Sequence, residues 1–171
     1  INASYAFLST FSAVDVIALD DLYSPQGFSS NNSFSGDTVY GFNTNISVSR
    51  SAIFSELTNW IASTAFTIAD GNGNDTLDFS GFSNNQSIDL RSTDKSSSSL
   101  FTSNIAGLTG NLVISAGTII ENAVSGSGND TIIGNSSNNS LNGGNGNDLL
   151  IGGAGDDIYI VDSISDNVNE N

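Results

Sequence analysis

A nine-residue period runs without insertion through the C-terminal part of this chain, and it limits the fold more than any other feature. SGSGNDTII begins at Ser125, GNSSNNSLN at Gly134, GGNGNDLLI at Gly143 and GGAGDDIYI at Gly152. Position six holds Asp130, Asn139, Asp148 and Asp157; position eight holds Ile132, Leu141, Leu150 and Tyr159. A decayed copy, VDSISDNVN, continues the register with Asp166 and Val168. One large apolar residue in nine cannot close a core by itself. Set in a short strand between polar neighbours, it gives one inward knob per half-turn. Turns stacked in parallel then bury a narrow, continuous core. A single Gly-Asn-Asp cluster is an ordinary β-turn. Four in register specify a stacked roll.

The loops of that roll carry its chemistry. Glycines permit backbone with positive φ, so a six-residue loop can curl and aim its carbonyls inward. The Asp at position six adds a carboxylate where those carbonyls converge. Stacked unpaired carboxylates repel, and a divalent cation resolves that repulsion. Hard oxygen donors of this kind suit Ca²⁺, which takes six to eight of them. The rest of the composition agrees by elimination. Lys plus Arg number 3 against 18 Asp plus Glu, a net charge of −15 in 171 residues. There is no basic footprint for nucleic acid, and anionic membrane surfaces are disfavoured. His, Cys and Met are absent. Zinc sites built on His or Cys, Ser-His-Asp triads, Cys nucleophiles and disulfides are thereby excluded within this chain. No apolar run approaches the length of a transmembrane helix. The sequence opens at Ile1 without a signal-peptide pattern, which points to a processed or excerpted piece of something longer.

A coarse pass predicts an all-β fold with one short N-terminal helix. Val14, Ile17, Ala18 and Leu22 fall at helical spacing within 13–23, and a Ser/Asn/Gly-rich loop follows over 24–36. Short strands are predicted at 37–42, 45–49, 66–68, 76–79, 87–90, 111–115 and 118–124. Residues 51–62 read as a second helix or as an extended pair, and 92–103 as a Ser-rich loop. Trp60, with Phe54 and Leu57, is expected in the core or at a domain joint, the alternative being an exposed patch. Arg50, Arg91 and Lys95 are each expected to answer a local carboxylate.

GNDTLDFSGF (73–82), SGDTVYGFNTN (35–45) and TIIENAVSGSGND (118–130) resemble the C-terminal domain of serralysins, bacterial zinc metalloproteases with RTX repeats. DVIALDDLY (15–23) resembles the last helix of their catalytic domain. The likeness covers roughly 13–160. It implies a parallel β-roll packed with antiparallel strands, with Ca²⁺ between loops on the same side of the roll. On this basis 1–24 corresponds to the tail of a catalytic domain, 25–124 to a strand-rich region and 125–171 to the RTX roll.

The resemblance implies about four or five Ca²⁺ ions. One would join the carbonyls of Phe34, Gly36 and Thr38 to Asp70, the Asn72 carbonyl and Asp75. A second would share Asp75 with the Gly73 and Ile119 carbonyls and the Glu121 carboxylate. In the roll, Gly126, Gly128 and Asp130 would face Gly143, Asn145 and Asp148. On the other side Asn135, Ser137 and Asn139 would face Gly152, Ala154 and Asp157, with Asn139 lowering that site's charge. A fifth set would be Gly144, Gly146 and Asp148 with Val161, Ser163 and Asp166.

The departures are as informative. The protease zinc motif needs His, and the chain has none. The tail DDIYIVDSISDNVNEN resembles long multi-repeat RTX proteins more than a protease end. Adjacent acids such as Asp156 and Asp157 point to opposite faces of a strand, which disfavours glycosidase chemistry. GxGxxG-like strings lack any βαβ unit or basic partner. The expected function is a non-catalytic, extracellular, calcium-binding module, exported by type I secretion and folding on Ca²⁺. A subunit of a surface layer or filament, or the C-terminal part of a serralysin-like protease, are the other readings. Possible partners are copies of itself or the other domains of a parent protease or adhesin.

Overall fold

The computed structural model describes residues 7–8, 34–49, 51–93 and 100–170. Among them are twelve short strands: β1 Phe7–Leu8, β2 Val39–Gly41, β3 Thr64–Ile68, β4 Thr76–Asp78, β5 Ser87–Asp89, β6 Leu112–Ile114, β7 Asn122–Val124, β8 Thr131–Ile133, β9 Ser140–Asn142, β10 Leu149–Ile151, β11 Ile158–Ile160 and β12 Asn167–Asn169. They form three sheets, ordered β11-β9-β7-β4-β2, β12-β10-β8-β5 and β1-β3-β6. Every strand pairing is parallel. Successive repeats alternate between the two larger sheets, so that partners within a sheet lie eighteen residues apart in the regular part. This is the roll that a single apolar knob per nine residues requires.

The knobs line up in two columns. Tyr40, Leu77, Ala123, Leu141 and Tyr159 pair in register along one sheet. Ile88, Ile132, Leu150 and Val168 do so along the other. All are fully buried from Tyr40 through Leu150, at 0% exposure. Burying a side chain of this size stabilises by roughly 1.5–3 kcal/mol, so the stack gains with every turn. The columns fray at the C-terminal end, where Val168 is 43% exposed. The third sheet adds a second layer through Phe66, Ile68, Leu112 and Ile114. Phe34, Tyr40 and Phe54 meet edge to face beside it.

The two larger sheets reach N-terminally past Ser125, to β2 and β5. Long excursions interrupt the nine-residue spacing there, the longest carrying β3 and β6 out to the third sheet. Antiparallel contact is confined, among the described residues, to isolated bridges Ser87–Asn104 and Ser103–Leu112. The antiparallel strands that the resemblance implies beside the roll are not found among the described residues, whose strands all pair in parallel. Residues 45–49 are not a strand. Asn45 and Thr44 instead cap the outer edge of β2: the Val39 amide donates to Asn45 Oδ1 at 2.9 Å, and Thr44 Oγ1 donates to the Val39 carbonyl at 2.7 Å. Within 118–124 only Asn122–Val124 is a strand, because Thr118 to Glu121 form the loop before it. Residues 51–62 hold a 3-10 turn, Phe54–Glu56, and one helical turn, Leu57–Trp60. Leu57 is buried, but Trp60 is 54% exposed and takes no part in the core. Arg91 answers Asp89 with a two-pronged ion pair and lies over the Phe101 ring. The helix expected at 13–23, and Arg50 and Lys95, lie outside the described residues. No helix among the described residues is long and apolar enough to cross a membrane.

Candidate metal centre

The position-six side chains form a ladder down each side of the roll. On one side the Gln86 amide N–H donates to Asp130 Oδ1 at 2.6 Å, that of Asp130 to Asp148 Oδ1 at 2.8 Å, and that of Asp148 to Asp166 Oδ1 at 3.0 Å. On the other side Thr38 donates to Asp75 Oδ1 at 2.7 Å, Asp75 to Glu121 Oε2 at 2.8 Å, and Asn139 to Asp157 Oδ1 at 2.7 Å. Each carboxylate therefore spends one oxygen on the loop before it. Position five repeats the device at the surface, through Asn85–Asn129–Asn147, Asn138–Asp156 and Asp37–Asn74. These two ladders fix which loops face each other.

The carbonyls crowd into the gaps between those loops. A Cβ on Gly144 (φ 81°) would overlap the Gly126 carbonyl oxygen, and one on Gly146 that of Gly128. The Asn145 amide reaches the Gly126 carbonyl at 2.9 Å, and that of Ala154 the Asn135 carbonyl at 3.2 Å. At position one, a Cβ on Gly134, Gly143 or Gly152 would strike the side-chain oxygen of Asn139, Asp148 or Asp157. Glycine there is what lets the acid fold back over its own loop.

The second oxygens tell the rest. Asp148 Oδ2 and Asp157 Oδ2 are buried with no hydrogen-bond partner. Leaving such an acceptor unsatisfied costs about 1–3 kcal/mol, more when it is charged. Burial pushes the Asp148 carboxyl above the ordinary range, and the negative charges of Asp130, Asp166 and Asp162 add to the effect. Asp75 is pushed up to about 6, chiefly by burial and further by Asp70, Glu121 and Asp37, against the lowering pull of the Thr38 N–H. Asp166, held by three backbone N–H groups, is shifted downward instead. No three acidic side chains converge among the described residues, so a cation here would draw on backbone carbonyls as well. Every donor in these gaps is oxygen.

The loops named from the sequence meet as follows. The Gly36 amide reaches the Asn72 carbonyl at 2.5 Å, and a Cβ on Gly73 would lie 2.6 Å from the Gly36 carbonyl carbon, so 34–38 faces 70–75. Phe34 has left-handed backbone (φ 53°), and Thr38 Oγ1 donates to the Gly36 carbonyl. Asp70, at 1% exposure, receives the Tyr40 hydroxyl at 2.5 Å. Glu121 is joined to Asp75 by side chain and backbone, and Ile119 lies between it and Thr118, which bonds the Asp70 amide. Loop 126–130 faces 143–148, and 135–139 faces 152–157. Asn139 is more fully used than Asp148 or Asp157: Oδ1 accepts from the Asn135 amide and Nδ2 donates to the Glu121 carbonyl. Sequence reasoning missed loop 82–86, with Gln86 at position six. Its 44-residue offset from Asp130 is out of phase with the period, and only the polar residue two before Ile88 marks it.

The described residues thus form a parallel roll whose facing loops present carbonyls and buried carboxylates across narrow gaps. The chain belongs to the family described as Peptidase M10 serralysin C terminal, whose profile matches residues 29–171. Metalloprotease AprA of Pseudomonas entomophila (strain L48) is 46% identical over 100 residues, 58% of this chain and 18% of the relative. Metallopeptidase AprA of Pseudomonas marginalis is 42% identical over 120 residues, 70% of this chain and 22% of the relative. A serralysin of Photorhabdus laumondii subsp. laumondii is 39% identical over 135 residues, 78% and 25% of the respective lengths. The chain spans a quarter or less of these relatives' lengths, and the matching profile is the C-terminal one.

Proposed function

We propose that this chain is a non-catalytic, calcium-binding roll that folds outside the cell when Ca²⁺ enters the gaps between its loops. The observation that carries the reading is the pair of buried, unpartnered oxygens, Asp148 Oδ2 and Asp157 Oδ2, set among carbonyls with no cationic side chain among the described residues to answer them. A hard divalent ion with oxygen ligands matches that donor set. Bound Ca²⁺ supplies the positive charge the loops lack. The residues that would hold it are Gly126, Gly128 and Asp130 with Gly143, Asn145 and Asp148; Asn135, Ser137 and Asn139 with Gly152, Ala154 and Asp157; and Phe34, Gly36, Thr38, Asp70, Asn72, Gly73, Asp75, Ile119 and Glu121 around the first turns. About five ions would offset about 10 of the 15 net negative charges. A chain with no disulfide to form and sites of the weak extracellular class is suited to export unfolded by a type I route and to folding in external Ca²⁺ near millimolar levels.

Family membership and relative length favour a parent protease: the 171 residues serve as its C-terminal module, and the zinc-binding His residues lie elsewhere in the parent gene, where sequencing would find them. A second reading, self-assembly into a surface layer or filament, draws on the exposed Ile158, Ile160, Val161, Ile164 and Val168 along the last described turns. Titrating the EGTA-stripped chain with Ca²⁺, while following far-UV circular dichroism and light scattering, separates the readings. A cooperative coil-to-β transition without scattering supports the monomeric folding switch, and the same transition with rising scattering supports assembly. Equal structure in EGTA and in Ca²⁺ overturns the mechanism.

A further inference from the structure

The first gap on the Gln86 side of the roll is built differently from those below it. Loops 81–86 and 125–130 approach as closely as any pair: a Cβ on Gly126 would overlap the Phe82 carbonyl oxygen, and the Ser127 amide donates to that oxygen at 3.1 Å. Position six of the upper loop is an amide, Gln86. Position one of the lower loop is Ser125, where the next three repeats have Gly134, Gly143 and Gly152. Gln86 Nε2 donates to Ser125 Oγ at 3.0 Å and to the Phe79 carbonyl at 3.3 Å. Ser125 Oγ donates onward to Asp130 Oδ2 at 2.6 Å, and Asp130 Oδ1 already accepts the Gln86 backbone N–H. All three side chains are buried, at 3%, 1% and 2% exposure. Asp130 thus has both oxygens in protein hydrogen bonds, whereas Asp148 and Asp157 each keep one bare.

We infer that Gln86 and Ser125 form a neutral relay that takes the place of a cation in this gap, so that the roll's first turn on this side closes without metal while the turns below it wait for Ca²⁺. The inference rests on the calcium reading for those lower gaps. Its chemistry is simple. A carboxylate buried in low dielectric needs positive charge or convergent N–H and O–H donors. The relay supplies donors. The glutamine also explains why no acid stands at position six here: a second carboxylate opposite Asp130 would restore the repulsion that a cation must answer. Gln86 Oε1, buried without a protein partner, is the side of the amide that the relay leaves over. Position 86 is accordingly the residue that decides whether this gap takes an ion.

The test uses the full chain. Native mass spectrometry at saturating Ca²⁺ counts bound ions in the wild type, Gln86→Ala and Gln86→Asp. Hydrogen exchange in EGTA reports β5 and β8 against β10 and β12. The relay predicts an unchanged ion count in Gln86→Ala and one additional ion in Gln86→Asp. In EGTA it predicts amide exchange in β5 and β8 at least about tenfold slower than in β10 and β12. Gln86→Ala, or the gentler Ser125→Gly, should erase that difference. Loss of one ion in Gln86→Ala would make Gln86 Oε1 a metal ligand and overturn the inference. So would an unchanged count in Gln86→Asp, or uniform exchange across the four strands of the wild type in EGTA. A wild type that binds no Ca²⁺ at all would sink the functional reading, while the EGTA exchange pattern would still judge the relay.

Discussion

At the scale of the residue, burial and neighbouring negative charge raise the carboxyls of Asp75 and Asp148 above their ordinary range. Asp75 shows the sign of the consequence. Its carboxyl titrates at about 6 in the metal-free fold against an ordinary value of 3.8, so between those values the folded chain binds more protons than the unfolded one. Its contribution to stability is full below the lower value and is lost as pH rises through the upper one. The metal-free chain should therefore gain folded fraction as pH falls from 7 towards about 5, read by circular dichroism in EGTA. Over the same interval Ca²⁺ affinity should fall, because protons compete for the same oxygens. A folded fraction that drops on acidification would contradict this account of Asp75. Gly143 gives a second test. A Cβ there overlaps Asp148 Oδ2, so Gly143→Ala must push the carboxylate out of its gap. The expected cost is about 1–3 kcal/mol of stability in Ca²⁺, with weaker Ca²⁺ binding, measured by thermal melts and calorimetric titration. Gly110→Ala is the control, since a Cβ there meets nothing closer than Thr102 Oγ1 at 3.8 Å; its positive φ of 63° adds strain but touches no acid.

At the scale of the element, each strand from β7 to β10 contributes one buried side chain, and a strand's worth depends on its place in the stack. Leu141 in β9 is flanked by Ala123 and Tyr159 and is fully buried. Leu141→Ala should cost about 2–5 kcal/mol in saturating Ca²⁺. Val168 in β12 has a partner on one side only, and Val168→Ala should cost under about 1 kcal/mol. Equal losses at the two positions would mean that burial in the stack does not set a strand's worth. This dependence also explains what the sequence could convey. From Ser125 onward the period is uninterrupted, so strand, loop and knob could each be placed by counting. Before Ser125 the same turns exist, but β3, β6 and their connections are spliced between them. Counting therefore lost Gln86 and its loop. The bounding Gly and Asn residues mark 45–49 as a strand, yet the edge it would join is occupied by the side chains of Thr44 and Asn45. The facing of acid on loop was legible; which acid kept a bare oxygen was not, because that depends on whether position one is Gly143 or Ser125.

For the whole molecule, a net charge of −15 is carried on a roll whose core is only two side-chain columns and a flanking layer. Hydrophobic burial grows with each stacked turn, but so does the repulsion among the acids that line the same turns. Under the proposed calcium mechanism the lower turns gain little from stacking without a cation, whereas with one in each of those lower gaps both effects would favour the roll. The transition should therefore be large in dimension. A compact chain of this length has a radius of gyration of about 16 Å and an unfolded one about 44 Å. Small-angle X-ray scattering in EGTA should give a value well above the compact one, falling towards it as Ca²⁺ is added. General charge screening could mimic part of that contraction, and Mg²⁺ distinguishes the two causes. It carries the same charge but demands a tighter octahedral shell and gives up its water reluctantly, which carbonyls fixed by the roll's backbone ladder cannot accommodate. At equal millimolar concentration Ca²⁺ should compact the chain and Mg²⁺ should leave it expanded. Equal contraction by both ions would reduce the loops to a polyelectrolyte and remove the reason for their register.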